Sequence, residues 1–530
     1  MQNNINRVIE GIGRLSSSFN FIGKYFLRRE REDFEGHLRG LPSNSRSLIQ
    51  GSVLLDGTFD NPNFWFRTIL LLKALGVNEP DKLIGLLGPY RANEQAKTLR
   101  SMGTHFFEEM IPKPSNSSKK LSNEMWAALE SPDEIMKWDL PEGIPAGLLY
   151  DHILKRQKSE TVKIKEPKGR KCVEEFISAA SGAKNFFTAE KPALFIASHA
   201  VGVSSAWVWI ALQHGVRVIV PFGYDGLCRF WSLSQVTDIF DFGHLLDPHS
   251  FKSLPKKQQE YFECQGEKRL SMRFEGLAKD IGAVHAYDKK VEKPTKEMIC
   301  EKHGWSKEKP IVGFFSSNWH DYPHAFGMKR FRDHFNFAQT VLGVAKKAKR
   351  FNWLIKGHPL DNFYGSQEIE KLLPNAECDH IKFSYQPCLF NAIDAAVTCH
   401  GTIGVEAVAM GRPVLVGDRG WYDDMGFVLK ADDKKHFIEL LGTEWWSDVD
   451  REENASLARR FAGILWGIPE KQGEFFLEDD SKQWELYGKN ISLIKNNAGP
   501  IEDEMEKIRQ WYDSQAPNYH VHKVMNAFNL

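Results

Sequence analysis

The sequence has few cysteines, no excess of charge of either sign and no long apolar run. Its seven cysteines are odd in number and contain no C-x-x-C pair, which excludes a disulfide framework and a zinc ribbon and favours a reducing compartment. Lys plus Arg number 69 and Asp plus Glu number 69, a balance that excludes a polycationic nucleic-acid coat. No apolar run reaches the roughly 20 residues of a membrane-spanning helix. The first residues also lack the apolar centre and cleavage site of a secretory leader.

The familiar nucleotide, metal and hydrolase motifs are absent as well. There is no G-x-x-x-x-G-K-[ST] phosphate loop, and the absence of G-x-G-x-x-G makes a dehydrogenase less favoured. Neither H-E-x-x-H nor G-x-S-x-G occurs, and the D-V-D triplet at 448–450 falls in a polar helical region, where we interpret it as surface and not as a metal-binding D-x-D. We therefore expect a cytoplasmic protein with no cofactor and no bound metal, and binding to nucleic acid is not expected.

What the sequence does contain is a globular composition and an alternation of strands and helices. Apolar residues make up 42% and charged residues 26% of 530 residues, which is typical of two or three folded domains. The stretches SVLLDG, FWFRTILLLKALG, DKLIGLLG and ANEQAKTLRSMG predict a β-α-β-α series and therefore a parallel sheet. A second series begins near residue 309, so the sequence predicts an α/β protein with two Rossmann-like domains around a cleft.

The predicted units follow from these series and from the charged stretches between them. A helical extension is expected over 1–45, an acceptor-side Rossmann-like domain over 46–295, a second Rossmann-like domain over 309–500, and a C-terminal helix and tail over 501–530.

Polar residues follow two predicted strands of the second series. Ser316, Ser317 and Asn318 come after IVGFF, where hydroxyl, amide and backbone N–H groups suit phosphate oxygens, although an ordinary helix cap is the alternative. Lys356 and His358 follow NWLI and offer a fixed positive charge and an N–H donor to an anionic leaving group.

A third polar group follows the strand AAVTC. His400, Gly401 and Thr402 stand at the start of a predicted helix, with Thr402 as its N-cap, so the first-turn N–H groups would favour a phosphate. Glu406 comes one turn later, where a carboxylate could accept both ribose hydroxyls of a nucleotide. An ordinary strand–helix–strand unit is the alternative here.

Candidate catalytic carboxylates lie in the first half. Asp56 and Asp60 stand in and after the turn of the first strand, and Asp225 follows the strand VRVIVPF. A carboxylate at such a strand end could deprotonate an acceptor hydroxyl or attack an activated sugar carbon. Aspartates of this kind are also common turn formers.

The second half resembles a known group of enzymes. KGHP, followed by FSYQPCLFNAIDAAVTCHGTIGVEAVAMGRPVLVGDRGWYDDMGF, is similar to the capsule polysaccharide biosynthesis glycosyltransferases, which include Kdo transferases; bacterial sialyltransferases have a distantly similar His-Pro motif. The resemblance is good from about 309 to 440 and weaker upstream. It implies the GT-B fold, in which two Rossmann-like domains face a cleft and the nucleotide binds to the C-terminal one.

The resemblance also implies roles for individual residues. His358, Ser316, Ser317 and Thr402 would bind the phosphate of the nucleotide, and Glu406 would hold the ribose. In addition, Tyr422 would border the donor pocket. His400 and Gly401 stand where many relatives have a small hydroxylated residue, and Tyr224-Asp225-Gly226 matches half of the acidic sialyltransferase motif.

The sequence thus predicts a metal-independent glycosyltransferase with a nucleotide sugar as donor and a surface polysaccharide or lipid-linked glycan as acceptor. A CMP-activated acidic sugar such as Kdo is favoured, while UDP- and GDP-sugars remain open. Peripheral association with the inner face of the cell membrane, through other biosynthesis proteins, is left open too. The alternatives are a nucleotide-sugar 2-epimerase-like enzyme and a non-catalytic glycan-binding or scaffold subunit.

Overall fold

The structure is a computed structural model of the chain. It describes residues 46–59, 61–77, 82–89, 92–222, 228–241, 247–278, 286–287, 293–361, 365–384, 388–467 and 498–527, and residues 32–33, 35–36, 40, 492 and 496. The predicted extension over 1–45 therefore lies almost wholly outside the described residues.

The first half of the chain forms a six-stranded sheet. Its strands are β1 (Val53–Asp56), β2 (Leu83–Leu87), β3 (Phe106–Glu109), β4 (Leu194–Ile196), β5 (Arg217–Phe222) and β6 (Arg229–Leu233). The strand order is β3-β2-β1-β4-β5-β6, which is the Rossmann order. Neighbouring strands are parallel, apart from the antiparallel pair of β5 and β6.

The second half forms another six-stranded sheet. Its strands are β7 (Ile311–Phe315), β8 (Asn352–Lys356), β9 (Ile381–Phe383), β10 (Ala395–Thr398), β11 (Val414–Val416) and β12 (Leu429–Lys430). The order β12-β11-β10-β7-β8-β9 is the Rossmann order again, and every pair is parallel. The predicted architecture of two Rossmann-like sheets is therefore confirmed.

Helices connect the strands and cover the sheets. They are α1 (Pro62–Ala74), α2 (Ala92–Ser101), α3 (Asn116–Ala127), α4 (Ala146–Gln157), α5 (Pro167–Ala189), α6 (Gly202–Gln213), α7 (Pro248–Lys252), α8 (Lys256–Phe274), α9 (Lys296–His303), α10 (His334–Ala345), α11 (Ile369–Leu372), α12 (Ile403–Ala409), α13 (Lys434–Leu441), α14 (Arg451–Trp466), α15 (Ala498–Ser514) and α16 (Tyr519–Asn526). Short 3₁₀ turns lie at Pro132–Lys137, Pro141–Gly143, Val236–Asp241 and Leu389–Asn391. None of the helices in the described part is both long enough and apolar enough to cross a membrane.

Local sequence explains the first strand–helix unit. All four residues of β1 are buried, as expected of a parallel strand that is covered on both faces. The helix α1 begins where the Asn61 side chain accepts hydrogen bonds from the backbone N–H groups of Asn63 and Phe64, with Pro62 in its first turn. It ends before Gly76, whose φ is +71° and therefore favours glycine. The helix predicted from FWFRTILLLKALG thus starts two residues earlier than its letters indicate.

Two segments pack across the boundary between the halves. Helix α8 packs against α14, and at their crossing a Cβ on Gly266 would lie 1.7 Å from the carbonyl oxygen of Arg459. A Cβ on Gly463 would lie 1.8 Å from the carbonyl oxygen of Phe262, so only glycine permits this backbone contact. Conversely, α15, which follows the second sheet in the chain, packs on α1 of the first half. Nearby, the N–H of Ser232 in β6 donates to the carbonyl of Pro517 at 2.8 Å.

Candidate functional site

A cavity of about 430 Å³ opens at the carboxyl ends of β7, β8 and β10. In a sheet of this order, β7 and β10 are neighbours whose connections leave on opposite sides, and ligands bind at that switch point. Nine residues that were predicted to bind the donor line the cavity: Ser316, Ser317, Asn318, Lys356, His358, His400, Gly401, Thr402 and Glu406. From the first half, Phe222 and Arg229 also line it, so the cavity lies between the two sheets.

The segment after β7 presents a hydroxyl without a hydrogen-bond partner. The N–H of Ser316 continues the sheet by donating to the carbonyl of Lys356 at 2.9 Å, and the amide of Asn318 donates to Ser366 Oγ at 3.1 Å. Ser317 Oγ is buried and has no hydrogen-bond partner among the described residues. Because an unsatisfied buried hydroxyl is costly, Ser317 is the residue of this segment that a ligand oxygen would satisfy best.

The segment after β8 presents a neutral imidazole with a defined tautomer. The N–H of Leu360 donates to His358 Nδ1 at 3.2 Å, so Nε2 carries the ring proton and is the donor. Burial lowers the pKa of His358 to about 4, which keeps the ring neutral near pH 7. The neighbouring Lys356 also has a pKa lowered by burial. A neutral donor and an ammonium group therefore stand side by side at the end of one strand.

At the end of β10, the structure corrects the predicted cap. Thr402 precedes α12 with φ −50° and ψ −29° and makes no capping hydrogen bond. A side chain can cap only from an extended backbone, and Thr402 is already in the helical conformation. Its hydroxyl therefore belongs to the cavity wall, and α12, with seven residues, is a short helix.

Tyr422 is not a residue of the cavity wall. It is fully buried, and its hydroxyl donates to the carbonyl of Gly401 at 2.6 Å. A Cβ on Gly404 would lie 2.1 Å from the Tyr422 hydroxyl oxygen, so the phenol packs directly behind the first turn of α12. Tyr422 supports this turn from behind, whereas its neighbour Trp421 lines the cavity.

Glu406 lines the cavity and is held by two residues that were not predicted. Arg273 Nε and Nη2 donate to its Oε1 at 2.9 and 2.8 Å, and the Tyr287 hydroxyl donates to its Oε2 at 2.5 Å. The guanidinium of Arg273 also stacks over the ring of Trp466 at 4.3 Å. Any ribose held by Glu406 would therefore share the carboxylate with these two donors.

Of the three predicted catalytic carboxylates, the structure describes Asp56 only. Asp56 is buried and outside the lining residues; its Oδ2 accepts from the N–H and the hydroxyl of Ser198 at 3.0 and 2.6 Å. This carboxylate ties β1 to the end of β4 and is not open to an acceptor. Asp60 and Asp225 lie outside the described residues. Asp321, by contrast, does line the cavity, and Lys155 of α4 forms an ion pair with it at 3.1 Å.

Arg229 enters the cavity because β6 is antiparallel to β5. In that pairing Arg229, the first residue of β6, lies opposite Phe222, the last residue of β5. The start of β6 therefore lies at the edge of the first sheet where the parallel strands end. The sequence did not predict β6. The signal that could have pointed to Arg229 is an arginine soon after the predicted strand VRVIVPF.

No family model matches the chain. A curated relative, Protein FixF of Sinorhizobium fredii, is 24% identical over 144 residues, which cover 27% of this chain and 34% of FixF. The match therefore spans about a third of the length of that relative.

Several solved structures resemble this chain, but only weakly. Thermosulfurimonas dismutans KpsC, a beta Kdo 2,4 transferase, is 12% identical over 47% of this chain and 78% of its own, with a TM-score of 0.33. The UDP-GlcNAc 2-epimerase from Neisseria meningitidis is 11% identical over 79% and 98%, with a TM-score of 0.24. The glycosyltransferase SnogD from Streptomyces nogalater is 11% identical over 84% and 100%, with a TM-score of 0.22. At such scores these likenesses assign no activity, and the function has to rest on the residues of the cavity.

Proposed function

We propose that the protein is a glycosyltransferase that moves a sugar from a nucleotide donor onto a surface polysaccharide or lipid-linked glycan. The observation that carries this proposal is the cavity at the switch point of the second sheet. It collects hydroxyl, ammonium and imidazole N–H donors from the ends of three strands. Such a set is suited to the phosphate of a nucleotide, whose charge grows when the sugar leaves.

The donor phosphate is placed near Ser317, Lys356 and His358 in this proposal. The hydroxyl of Ser317 lacks a partner among the described residues, and the Nε2–H of His358 is the donor of its ring. Lys356 adds a positive charge in a site where burial strengthens electrostatic attraction. These groups would stabilise the nucleotide as a leaving group without a metal ion.

Cationic or donor groups on two sides of the cavity favour a donor with two anionic groups. Lys356 and His358 come from the second sheet, whereas Arg229 lines the cavity from β6; the charge of Arg273 is already paired with Glu406. A CMP-activated acidic sugar such as Kdo carries a phosphate and a carboxylate, which suits this distribution. UDP- and GDP-sugars remain the alternatives that a binding experiment distinguishes.

The proposed reaction is a displacement at the anomeric carbon. The acceptor hydroxyl oxygen forms a bond with that carbon, the bond between the carbon and the phosphate oxygen breaks, and a carboxylate of the first half takes the hydroxyl proton. Asp225 or Asp60 remains the proposed base, because the carboxylate of Asp56 is buried against Ser198. If one of them acts instead as a nucleophile, a covalent sugar intermediate forms first.

Nucleotide binding is the first test of this proposal. The full chain is heated with saturating CMP, UDP or GDP, and one of the three is expected to raise the melting temperature. A ligand that binds only the native state at 100 times its Kd adds about 2.7 kcal/mol of stability. Ser317→Ala, with the same nucleotide, should reduce the shift. The absence of a shift with all three nucleotides would favour a non-catalytic scaffold or glycan-binding subunit.

Incubation with a nucleotide sugar alone separates a transferase from an epimerase. A transferase should leave most of the donor sugar unchanged until a glycan acceptor is added, after which free nucleotide and an extended glycan appear together. Conversion of the sugar into its epimer without acceptor would assign the protein to the epimerase alternative. Association with membranes is tested separately by sedimentation with inner-membrane vesicles.

Nucleotide binding is expected to depend on pH through His358. A phosphate beside the ring raises the pKa of His358 from about 4 towards neutrality, so the complex takes up a proton and binding tightens as the pH falls from 7 to 5. The gain approaches about tenfold for each unit by which the pKa of the bound form lies above the pH. Calorimetry on the wild type and on His358→Asn measures this, because the nucleotide's own titration cancels between them. Parallel pH curves for the two proteins would contradict the placement of the phosphate.

A further inference from the structure

Three potential metal ligands cluster beside the cavity, which two of them, His334 and His400, line. His334 begins α10, while Cys399 and His400 directly follow β10. One ligand atom from each of these side chains lies within 4.8 Å of the other two. The proposed transfer step makes no use of His334 or Cys399, so the cluster requires a separate explanation.

The ring of His334 has a nitrogen that no described residue satisfies. His334 is 3% exposed, and its Nδ1 is buried and has no hydrogen-bond partner among the described residues. A buried ring nitrogen without a partner is costly unless something binds it.

The other two side chains are already oriented towards one another. Cys399 Sγ lies 3.7 Å from His400 Nδ1, close to the separation of about 3.6 Å between sulfur and nitrogen on one tetrahedral zinc ion. The backbone of Arg419 forms a hydrogen bond with the His400 ring, as outer partners do when they fix a ligating histidine. The three ligand atoms would have to move by about 1 Å to reach zinc-binding distances.

The charge around the cluster suits a divalent cation. Bound to an ion, Cys399 would be a thiolate, and the carboxylate of Asp418 interacts electrostatically with both Cys399 and His400. Asp418 is fixed in place because it accepts backbone hydrogen bonds from Lys329 and Arg330 at 3.0 and 2.7 Å. A thiolate and a carboxylate together balance a charge of +2.

We propose that His334, Cys399 and His400 bind one thiophilic divalent metal ion of the zinc class. One sulfur and two imidazole nitrogens are a tetrahedral zinc ligand set with one position left over. His334 and His400 both line the cavity, so the fourth position faces it and takes water or an oxygen of a molecule bound there. The transfer step proposed above uses Lys356 and His358 and none of these three ligands, so metal binding can be tested apart from transfer.

A second cluster of the same kind provides the control. His152, Cys172 and Glu175 also offer three ligand atoms within 4.8 Å of one another. There, however, Arg156 and Lys171 lie 3.9 Å from Glu175, and none of the three ligands lines the cavity. Cations so close to the carboxylate repel a metal ion, and we expect no binding at this second cluster.

Cobalt(II) is the probe that tests the site. The full chain is stripped with a chelator and titrated with Co²⁺, and the near-ultraviolet absorption of a cobalt–thiolate bond is expected to saturate at one equivalent and to disappear when Zn²⁺ is added. Cys399→Ser should abolish this absorption. His334→Gln should weaken cobalt binding by more than the about 10–100-fold that loss of an outer partner costs. Cys172→Ser should retain the wild-type absorption.

The same titration can overturn the proposal. The site does not exist if the wild type gives no thiolate absorption, if Cys399→Ser retains it, or if Cys172→Ser loses it. The melting temperatures of the chelator-treated variants show whether each is folded. If Cys399→Ser does not fold, the cobalt titration of His334→Gln provides the test. Because the readout is metal binding, a failed transfer assay leaves this result unaffected.

Discussion

His358→Ala is expected to lower the rate of sugar transfer by about two to three orders of magnitude, the cost of removing one donor from a developing negative charge. The Nε2–H of this ring is the donor that we place on the departing phosphate, with Lys356 beside it. The fold should survive, because the only hydrogen bond to the side chain in the described part of the chain comes from the N–H of Leu360. The loss should appear mainly in kcat, since the interaction strengthens as the phosphate departs.

Product formation from a nucleotide sugar and a glycan acceptor measures this effect. His436→Ala is the matched control, because His436 is 40% exposed on α13, where it pairs with Asp432 at 3.0 Å. The control should transfer sugar at the wild-type rate, and both variants should melt close to the wild type. Near-normal turnover of His358→Ala would remove this residue from the site.

Glu406→Ala is expected to lower the free energy of unfolding by about 3–5 kcal/mol. Glu406 and Arg273 are 5% and 9% exposed as side chains, and removal of the carboxylate leaves a buried guanidinium and the Tyr287 hydroxyl without their common acceptor. Burial makes such a loss far more costly than at the surface. Glu406→Gln should cost less, because the amide oxygen still accepts hydrogen bonds.

A partly exposed pair serves as the comparison for this prediction. Glu263 and Arg459 are 29% and 26% exposed and pair at 2.8 Å, so Glu263→Ala should cost about 1 kcal/mol or less. Denaturant unfolding measures both variants. An equal cost for the two would contradict the larger penalty expected from breaking the buried Arg273–Glu406 pair. A nucleotide titration of Glu406→Gln then tests the predicted ribose contact separately.

The arrangement around the second sheet could be predicted from the sequence because it depends on local pattern. Apolar runs such as IVGFF and NWLI mark buried parallel strands, and the residues after them meet at one edge of the sheet. Ser317, His358 and Thr402 accordingly line one cavity. Thr402 stands at the predicted start of the helix but makes no capping hydrogen bond, because such a bond depends on backbone angles that the sequence T-I-G does not determine.

The contributions of the first half could not be predicted in the same way. Arg229 reaches the cavity only because β6 turns back against β5, and RFWSL lacks the alternation of an edge strand. Arg273 belongs to a polar helix, α8, that the sequence assigned to the first domain, although it packs on α14 of the second half. The contact of α8 with α14 joins residues more than a hundred positions apart, as Gly266 and Arg459 show, and no pattern within a window of 20 residues contains it.

The return of the C-terminal helices to the first sheet has a consequence for how the protein is made. Trp511 of α15 stacks on Phe230 of β6, with ring centroids 5.8 Å apart, and Ile501 and Tyr519 are fully buried in the same core. That core remains open until the ribosome has added the residues up to Tyr519. Domains usually fold from the N-terminus as they emerge, but here the first-made sheet is completed last. A nascent chain stalled at residue 467 would expose Phe230, which makes it a natural substrate for chaperones and proteases.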